Sequence, residues 1–180
     1  MLISKYGNGT VSQVEELEMK LGIKLDEKYK AFLIKYNGGD TPNTNWNGKC
    51  KSDVRFFYGI GVKEDILESL KYEIVQNLLE KSFLPIAKNC SGDFFCINLE
   101  DAKIYFSYHD KNRITLIAES FEEFISKIKS KKIGHIDTIE ERKACLFEHG
   151  HGEFFCQELV NDWQAEIDRF SKYHQDEVVL

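Results

Sequence analysis

Apolar residues near the start of the chain recur at spacings of three and four, the period of an amphipathic helix. This pattern runs through residues 14–21, and Gly22 follows it with the left-handed conformation that commonly ends a helix. Ser12 and Glu15 have the spacing of a capping box, in which each side chain satisfies a free backbone donor at the start of a helix. The pattern therefore predicts a helix that begins near Ser12 and ends at Gly22.

A second helix is predicted to follow at once. Asp26 is a suitable N-cap, the large side chains between Tyr29 and Tyr36 share one face, and Asn37-Gly38-Gly39 ends the pattern. Residues 40–53 are polar and loop-like. A structureless stretch of this length is longer than most loops and is often functional or mobile.

The middle of the chain alternates between strand-like and helix-like segments. We predict a strand at 54–58, a helix at 63–81, strands at 83–87, 94–99, 104–109 and 114–118, and a helix that a second capping box starts at Ser120. Residues 100–103 form a polar connection suited to a hairpin. Hairpin connections without βαβ alternation indicate an α+β fold with an antiparallel sheet flanked by helices.

The chain changes character after Gly134 and becomes helical. Helices are predicted at residues 140–148 and 153–173, and the second carries an apolar stripe that includes Trp163. Lysines gathered at 127–132 are interpreted as favourable partners of a helix C-terminus rather than as a phosphate site.

Seven short motifs, taken in order, carry a resemblance to a known family. They are Leu-Gly-Ile-Lys-Leu at 21–25, Tyr-Lys-Ala-Phe-Leu at 29–33, Tyr-Asn-Gly-Gly at 36–39, Leu-Pro-Ile-Ala at 84–87, Gly-Asp at 92–93, Cys-Ile-Asn-Leu at 96–99 and Ala-Glu-Ser-Phe-Glu-Glu-Phe at 118–124. This order resembles the SUKH superfamily, a group of bacterial immunity proteins related to a fungal cell-wall-assembly regulator. The resemblance covers residues 11–128. Asp26 stands where the family usually has proline, and Asn98 stands where it usually has aspartate.

The resemblance implies a binding protein with a curved antiparallel sheet. We expect a SUKH-like α+β domain at residues 1–132 and an acidic helical extension at 133–180 that packs on the same domain. Bacterial members usually neutralise a cognate polymorphic or contact-dependent toxin, often a nuclease, by binding it. The alternative is a regulatory scaffold like the fungal relatives. No catalytic residues are associated with the family, so we expect none, and the chain is not expected to be an enzyme.

Charge refines this picture. The 180 residues contain 24 Lys and Arg against 30 Asp and Glu, so the formal net charge is −6, which disfavours nucleic acid as a partner. Residues 1–130 contribute 18 − 19 = −1 and residues 131–180 contribute 6 − 11 = −5. A basic toxin domain is therefore the expected partner. Because neither a signal peptide nor an apolar run of membrane-spanning length is found, we expect no membrane partner and a cytoplasmic location.

One cluster has metal-ligand chemistry. Cys145, His149, His151 and Cys156 offer the two thiolates and two imidazoles that suit tetrahedral zinc, but their spacing matches no familiar zinc motif. The favoured interpretation is two buried cysteines and a loop of Gly and His, with no metal and no cofactor.

A cysteine nucleophile is the enzyme alternative. Cys96 or Cys156 could pair with His109 or His149, but no activating motif accompanies any of them. Cys96 lies in an apolar strand, where an inert buried thiol is expected.

Two features are candidates for partner binding. Glu158, Asp162 and Glu166 recur at intervals of four and place three carboxylates on one helical face, either as a solvated surface or as a patch that docks onto a basic partner. Trp46, in the long polar segment, is either a cap on the core or an exposed aromatic anchor. The oligomeric state is left open.

Overall fold

The computed structural model describes residues 1–180, which form two compact units. The first unit contains residues 1–131 and 175–180, and the second contains residues 132–174. The last six residues of the chain thus belong to the same unit as its beginning.

The first unit is built on an open eight-stranded sheet in which every neighbouring pair is antiparallel. Three further strands form a small second sheet in the order β10-β3-β4, and the large sheet has the order β11-β1-β2-β5-β6-β7-β8-β9. The strands are β1 (Leu2–Lys5), β2 (Gly39–Asp40), β3 (Thr44–Trp46), β4 (Ser52–Asp53), β5 (Phe56–Phe57), β6 (Phe83–Lys88), β7 (Phe94–Asn98), β8 (Ile104–Ser107), β9 (Ile114–Ala118), β10 (Ile128–Ser130) and β11 (Asp176–Glu177).

Seven α-helices complete the fold. They are α1 (Val11–Leu21), α2 (Glu27–Tyr36), α3 (Ile66–Ser69), α4 (Glu73–Glu80), α5 (Phe121–Lys127), α6 (Ile139–Glu148) and α7 (Gln157–Ser171). A short 3₁₀ turn, Gly152–Phe154, lies between the last two helices. The α+β class with a helical C-terminal part is confirmed.

The caps of the first two helices are set by local sequence. Gly22 ends α1 with φ 65°, and the Asp26 carboxylate accepts hydrogen bonds from two backbone amides of α2, as expected. The capping box of α1 is different from the prediction, however, because Thr10 and Gln13 form it. The helix begins at Val11, so Ser12 already lies inside its first turn and cannot act as N-cap.

The predicted long elements of the middle are more broken than expected. The helix predicted at 63–81 is two helices, because Asp65 caps α3 and a turn separates it from α4. The predicted loop at 40–53 contains β3 and β4, which pair with each other and, through β3, with β10. This polar stretch is therefore held by strand pairing with a segment far along the chain.

The core of the first unit is rich in aromatic rings. Phe32 contacts Phe57 and Phe121 with ring centroids 5.2 and 5.4 Å apart, and Phe124 contacts Phe95 at 5.3 Å. All five side chains are buried. These contacts join α2 and α5 to the sheet, and they explain the two phenylalanines of the motif at 118–124.

The second unit is a helical hairpin of α6 and α7. None of its residues is buried, and its apolar seam consists of half-buried side chains such as Phe155 and Trp163, whose ring centroids lie 6.4 Å apart. Phe147 and Phe154 remain 52% and 62% exposed. No helix in either unit has the length and apolar content needed to cross a membrane.

Candidate partner-binding surface

The acidic face of α7 carries the three carboxylates that the sequence singled out. Glu158 and Asp162 are exposed and form no ion pair. The Glu166 carboxylate accepts a hydrogen bond from Arg142 Nη1 of α6 at 3.0 Å, and this ion pair lowers the pKa of Glu166. The face therefore offers two unpaired carboxylates, while the third ties α7 to α6.

A groove of about 530 Å³ lies on the same helical hairpin. It is lined by Asp137, Arg142, Cys145, Leu146, His149, His151, Trp163 and Glu166. Three of the four residues considered for zinc thus lie around one groove, and Cys156 is not among them.

The Cys and His pair within this groove already has hydrogen-bond partners. Cys145 Sγ lies 3.6 Å from His149 Nδ1, which is also 2.8 Å from the Cys145 carbonyl oxygen. Both Cys145 and Cys156 are exposed, which corrects the expectation that they are buried. The helical hairpin is too thin to enclose either of them.

A second set of potential ligands was missed by sequence reasoning. His135 Nε2 lies 3.1 Å from both carboxylate oxygens of Glu141 and 3.7 Å from Asp137 Oδ1. Glu141 also accepts a hydrogen bond from the Thr138 backbone amide, which completes the capping box of α6. The spacing His-x-Asp-x₃-Glu could have pointed to this set, which forms an exposed polar cluster at the start of α6.

Trp46 belongs to the core. Its side chain is 1% exposed, and its ring lies 5.2 Å from that of Phe124. Gly48 packs against the indole so closely that a Cβ at that position would lie 2.2 Å from the ring. Of the two interpretations of Trp46, the cap on the core is therefore right and the exposed anchor is wrong, because pairing of β3 with β10 directs the ring inward.

Asp93 of the Gly-Asp motif is the centre of a buried polar network. Its Oδ1 accepts hydrogen bonds from the His109 backbone amide at 3.0 Å and contacts His109 Nδ1 at 2.8 Å, and its Oδ2 accepts one from Asn89 Nδ2 at 3.0 Å. Burial opposes ionisation, but these hydrogen bonds outweigh it and hold the pKa of Asp93 below its usual range. The network fastens the β6–β7 turn to the end of β8.

Cys96 is fully buried in β7, as expected, and burial raises the pKa of its thiol. A thiol that stays protonated at neutral pH is a poor nucleophile.

Comparison with known proteins identifies the first unit. The model of the SMI1 / KNR4 family (SUKH-1) matches residues 9–127. The chain belongs to this family. The predicted resemblance is thereby confirmed, and the match includes all seven motifs and ends at the last residue of α5. The second unit, 132–174, lies outside it.

A curated relative extends the comparison. The SPbeta prophage-derived uncharacterized protein YokK of Bacillus subtilis (strain 168) is 28% identical over 149 residues, which covers 69% of this chain and 77% of that protein.

Proposed function

We propose that this SUKH-1 protein is an immunity protein that binds a cognate toxin domain and neutralises it by masking the active site. The observation that carries the proposal is the family match over residues 9–127, because SUKH domains are known in toxin-immunity proteins. The prophage origin in the name of the Bacillus relative suits a gene that travels with a toxin. Neutralisation of this kind, proposed to take place in the cytoplasm, needs binding alone and no catalytic step by this protein.

The second unit is the proposed docking surface. It carries 5 Lys and Arg against 9 Asp and Glu, so its net charge is 5 − 9 = −4. Glu158 and Asp162 stand unpaired on α7, and Trp163 offers apolar area in the adjoining groove. An acidic surface attracts a basic partner and speeds encounter, while a half-buried aromatic ring adds affinity after contact.

The test of this docking surface is a charge reversal in the purified full chain. The double variant Glu158→Lys and Asp162→Lys is expected to slow association with the toxin domain about tenfold at low salt, and the effect should shrink as salt rises. The matched control reverses Glu16 and Glu80, which are exposed and unpaired on α1 and α4. Equal association rates for the wild type and the α7 variant would rule out this face.

The alternative is a regulatory scaffold like the fungal relatives that the family name covers. Tagged protein from the native host separates the two functions. An immunity protein should retain one toxin polypeptide, whereas a scaffold should retain several unrelated proteins.

A further inference from the structure

A basic groove of about 320 Å³ lies on the first unit, beside α4 and the β8–β9 connection. Ile74, Asn77, Leu78 and Lys81 contribute from α4 and its C-terminal cap, at positions that share one helical face. Residues 107–114 form the opposite wall. The groove therefore has one wall from a helix face and one from a hairpin end.

The charge of this groove is opposite to that of the chain. Lys81, Lys111 and Arg113 line it against Asp110 alone, so its net charge is 3 − 1 = +2. The Lys111–Asp110 contact is loose, at 3.9 Å, and neither Lys81 nor Arg113 forms an ion pair. Many other lysines of this unit pair with a carboxylate, as Lys103 does with Glu119 at 2.7 Å.

The wall formed by the β8–β9 connection holds its cations in place. The Lys111 ammonium and the Arg113 guanidinium each lie 5.5 Å from the centre of the Tyr108 ring, a cation–π distance. The Tyr108 hydroxyl is in turn 3.6 Å from Cys50 Sγ. The adjoining His109 is fixed through Asp93, as described above. Two cations are thus kept together on one fixed aromatic side chain.

Apolar side chains lie between the cations. Ile74 and Ile114 are half-buried, and Leu78 is buried in the last turn of α4. The lining contains no glycine and no helix N-terminus, the features that typically cradle a phosphate. The groove therefore combines separated cations with apolar area, which suits a peptide that carries both carboxylates and apolar side chains.

We propose that this groove binds an acidic peptide segment of a partner protein, with carboxylates on Lys81, Lys111 and Arg113 and apolar side chains on Ile74 and Ile114. An arginine guanidinium matches a carboxylate with two parallel hydrogen bonds, which gives orientation as well as affinity. The surface, its charge and its partner differ from those of the toxin-docking face, so this site does not depend on the proposed function.

The test is an NMR titration of the ¹⁵N-labelled full chain with an acetylated octapeptide of alternating Glu and Leu. At peptide concentrations on the order of 1 mM, the largest changes in backbone amide chemical shift should fall at residues 74–81 and 107–114. Binding should weaken as the salt concentration rises. An octapeptide of alternating Lys and Leu and inorganic phosphate serve as the comparison probes.

Charge reversal makes the test specific. The variant Lys81→Glu, Lys111→Glu, Arg113→Glu should bind the Glu-Leu peptide about tenfold more weakly. The control Lys20→Glu, Lys51→Glu, Lys129→Glu reverses three exposed cations outside the groove and should bind like the wild type. Both variants should keep the wild-type circular dichroism spectrum. Absence of clustered shifts, equal weakening in the control, equal binding of the Lys-Leu peptide, or displacement of the Glu-Leu peptide by phosphate would each overturn the proposal.

Discussion

Two buried carboxylates of the first unit each join separate secondary-structure elements. Asp93 connects the β6–β7 turn to β8, and Glu18 connects α1 to the start of α2 through the Leu25 amide at 2.8 Å and the Lys30 ammonium at 3.0 Å. Glu18 is 5% exposed and Asp93 is 8% exposed. A buried charge that keeps all its partners is tolerated, whereas loss of the charge leaves those partners unsatisfied.

Asp93→Asn should therefore lower the free energy of unfolding by about 1–3 kcal/mol, because an amide cannot accept all of the hydrogen bonds that the carboxylate accepts. Urea unfolding of the purified chain measures this difference. Asp110→Asn, at the exposed neighbour of His109, is the control and should change the free energy by less than about 0.5 kcal/mol. Equal loss in both variants would mean that the network adds no stability.

The lowered pKa of Glu18 predicts how the free energy of unfolding depends on pH. Burial opposes ionisation, but hydrogen bonds from Leu25, Lys30 and Lys24 outweigh it and lower the pKa of Glu18 in the folded chain. Its stabilisation is then fully present above the unfolded pKa, about 4.3, and is lost as pH falls through the lower folded pKa. The difference in unfolding free energy between the wild type and Glu18→Gln should narrow as pH falls from about 7 to about 3. A constant difference, or an equal effect of the exposed Glu16→Gln, would contradict this.

Backbone geometry decides the connection between α2 and the large sheet. Gly38 has φ 75°, and a Cβ at this position would lie 2.6 Å from the Phe57 carbonyl oxygen of β5. Both the left-handed conformation and the close approach exclude a side chain, which explains glycine in the Tyr-Asn-Gly-Gly motif.

Gly38→Ala is expected to destabilise the chain by more than about 2 kcal/mol, through backbone strain and displacement of β5. Thermal unfolding gives the measurement. Gly134→Ala is the matched control, since nothing lies within 4 Å of a Cβ there and its φ is not positive. A melting temperature unchanged by Gly38→Ala would show that β5 can move away without cost.

The three acidic residues of α7 have two different roles. Glu166 pairs with Arg142 of α6, whereas Glu158 and Asp162 are exposed and unpaired. Glu166→Lys should loosen the hairpin, because it breaks the ion pair with Arg142 and places two cations together. Glu158→Lys and Asp162→Lys should leave it intact. Limited proteolysis of residues 132–174 measures the difference, and equal cleavage rates for all three variants would contradict it.

Local signals in the sequence predicted the longer elements, and tertiary pairing decided the others. Gly22, Asp26 and Ser120 mark helix ends by their own chemistry, and α1, α2, α5 and the β7–β8 hairpin were predicted from them and from apolar spacing. The strands of two or three residues were not, apart from β5, which lies within the strand predicted at 54–58. The pairing of β11 with β1 joins opposite ends of the chain, and no local pattern specifies it.

In the candidate site, too, local features were predicted from the sequence and features that depend on tertiary packing were not. The acidic spacing of α7 was visible in the sequence, but the pairing of Glu166 with Arg142 depends on how α6 and α7 pack. The sequence left Trp46 open between a cap on the core and an exposed anchor, because its polar neighbours hide a strand that pairs with β10. The basic groove assembles from α4 and the β8–β9 connection, which are separated along the chain.

At the scale of the whole molecule, charge is unevenly divided. The second unit holds −4 of the total −6, which leaves −2 on the first unit. The family match ends at residue 127, so the acidic hairpin is an addition to the SUKH-1 domain rather than a part of its motif set. In the proposed function, this acidic unit selects one partner, while the core fold is shared within the family.

The most direct test of the account is inhibition of a toxin by this protein. The proposed function predicts a toxin domain encoded beside the gene; the product of such a reading frame is purified, and its activity is measured while the full chain is added in increasing amounts. We predict that activity falls in proportion and is abolished at one equivalent, as expected for tight binding that masks an active site. Full toxin activity in the presence of excess protein would contradict the account.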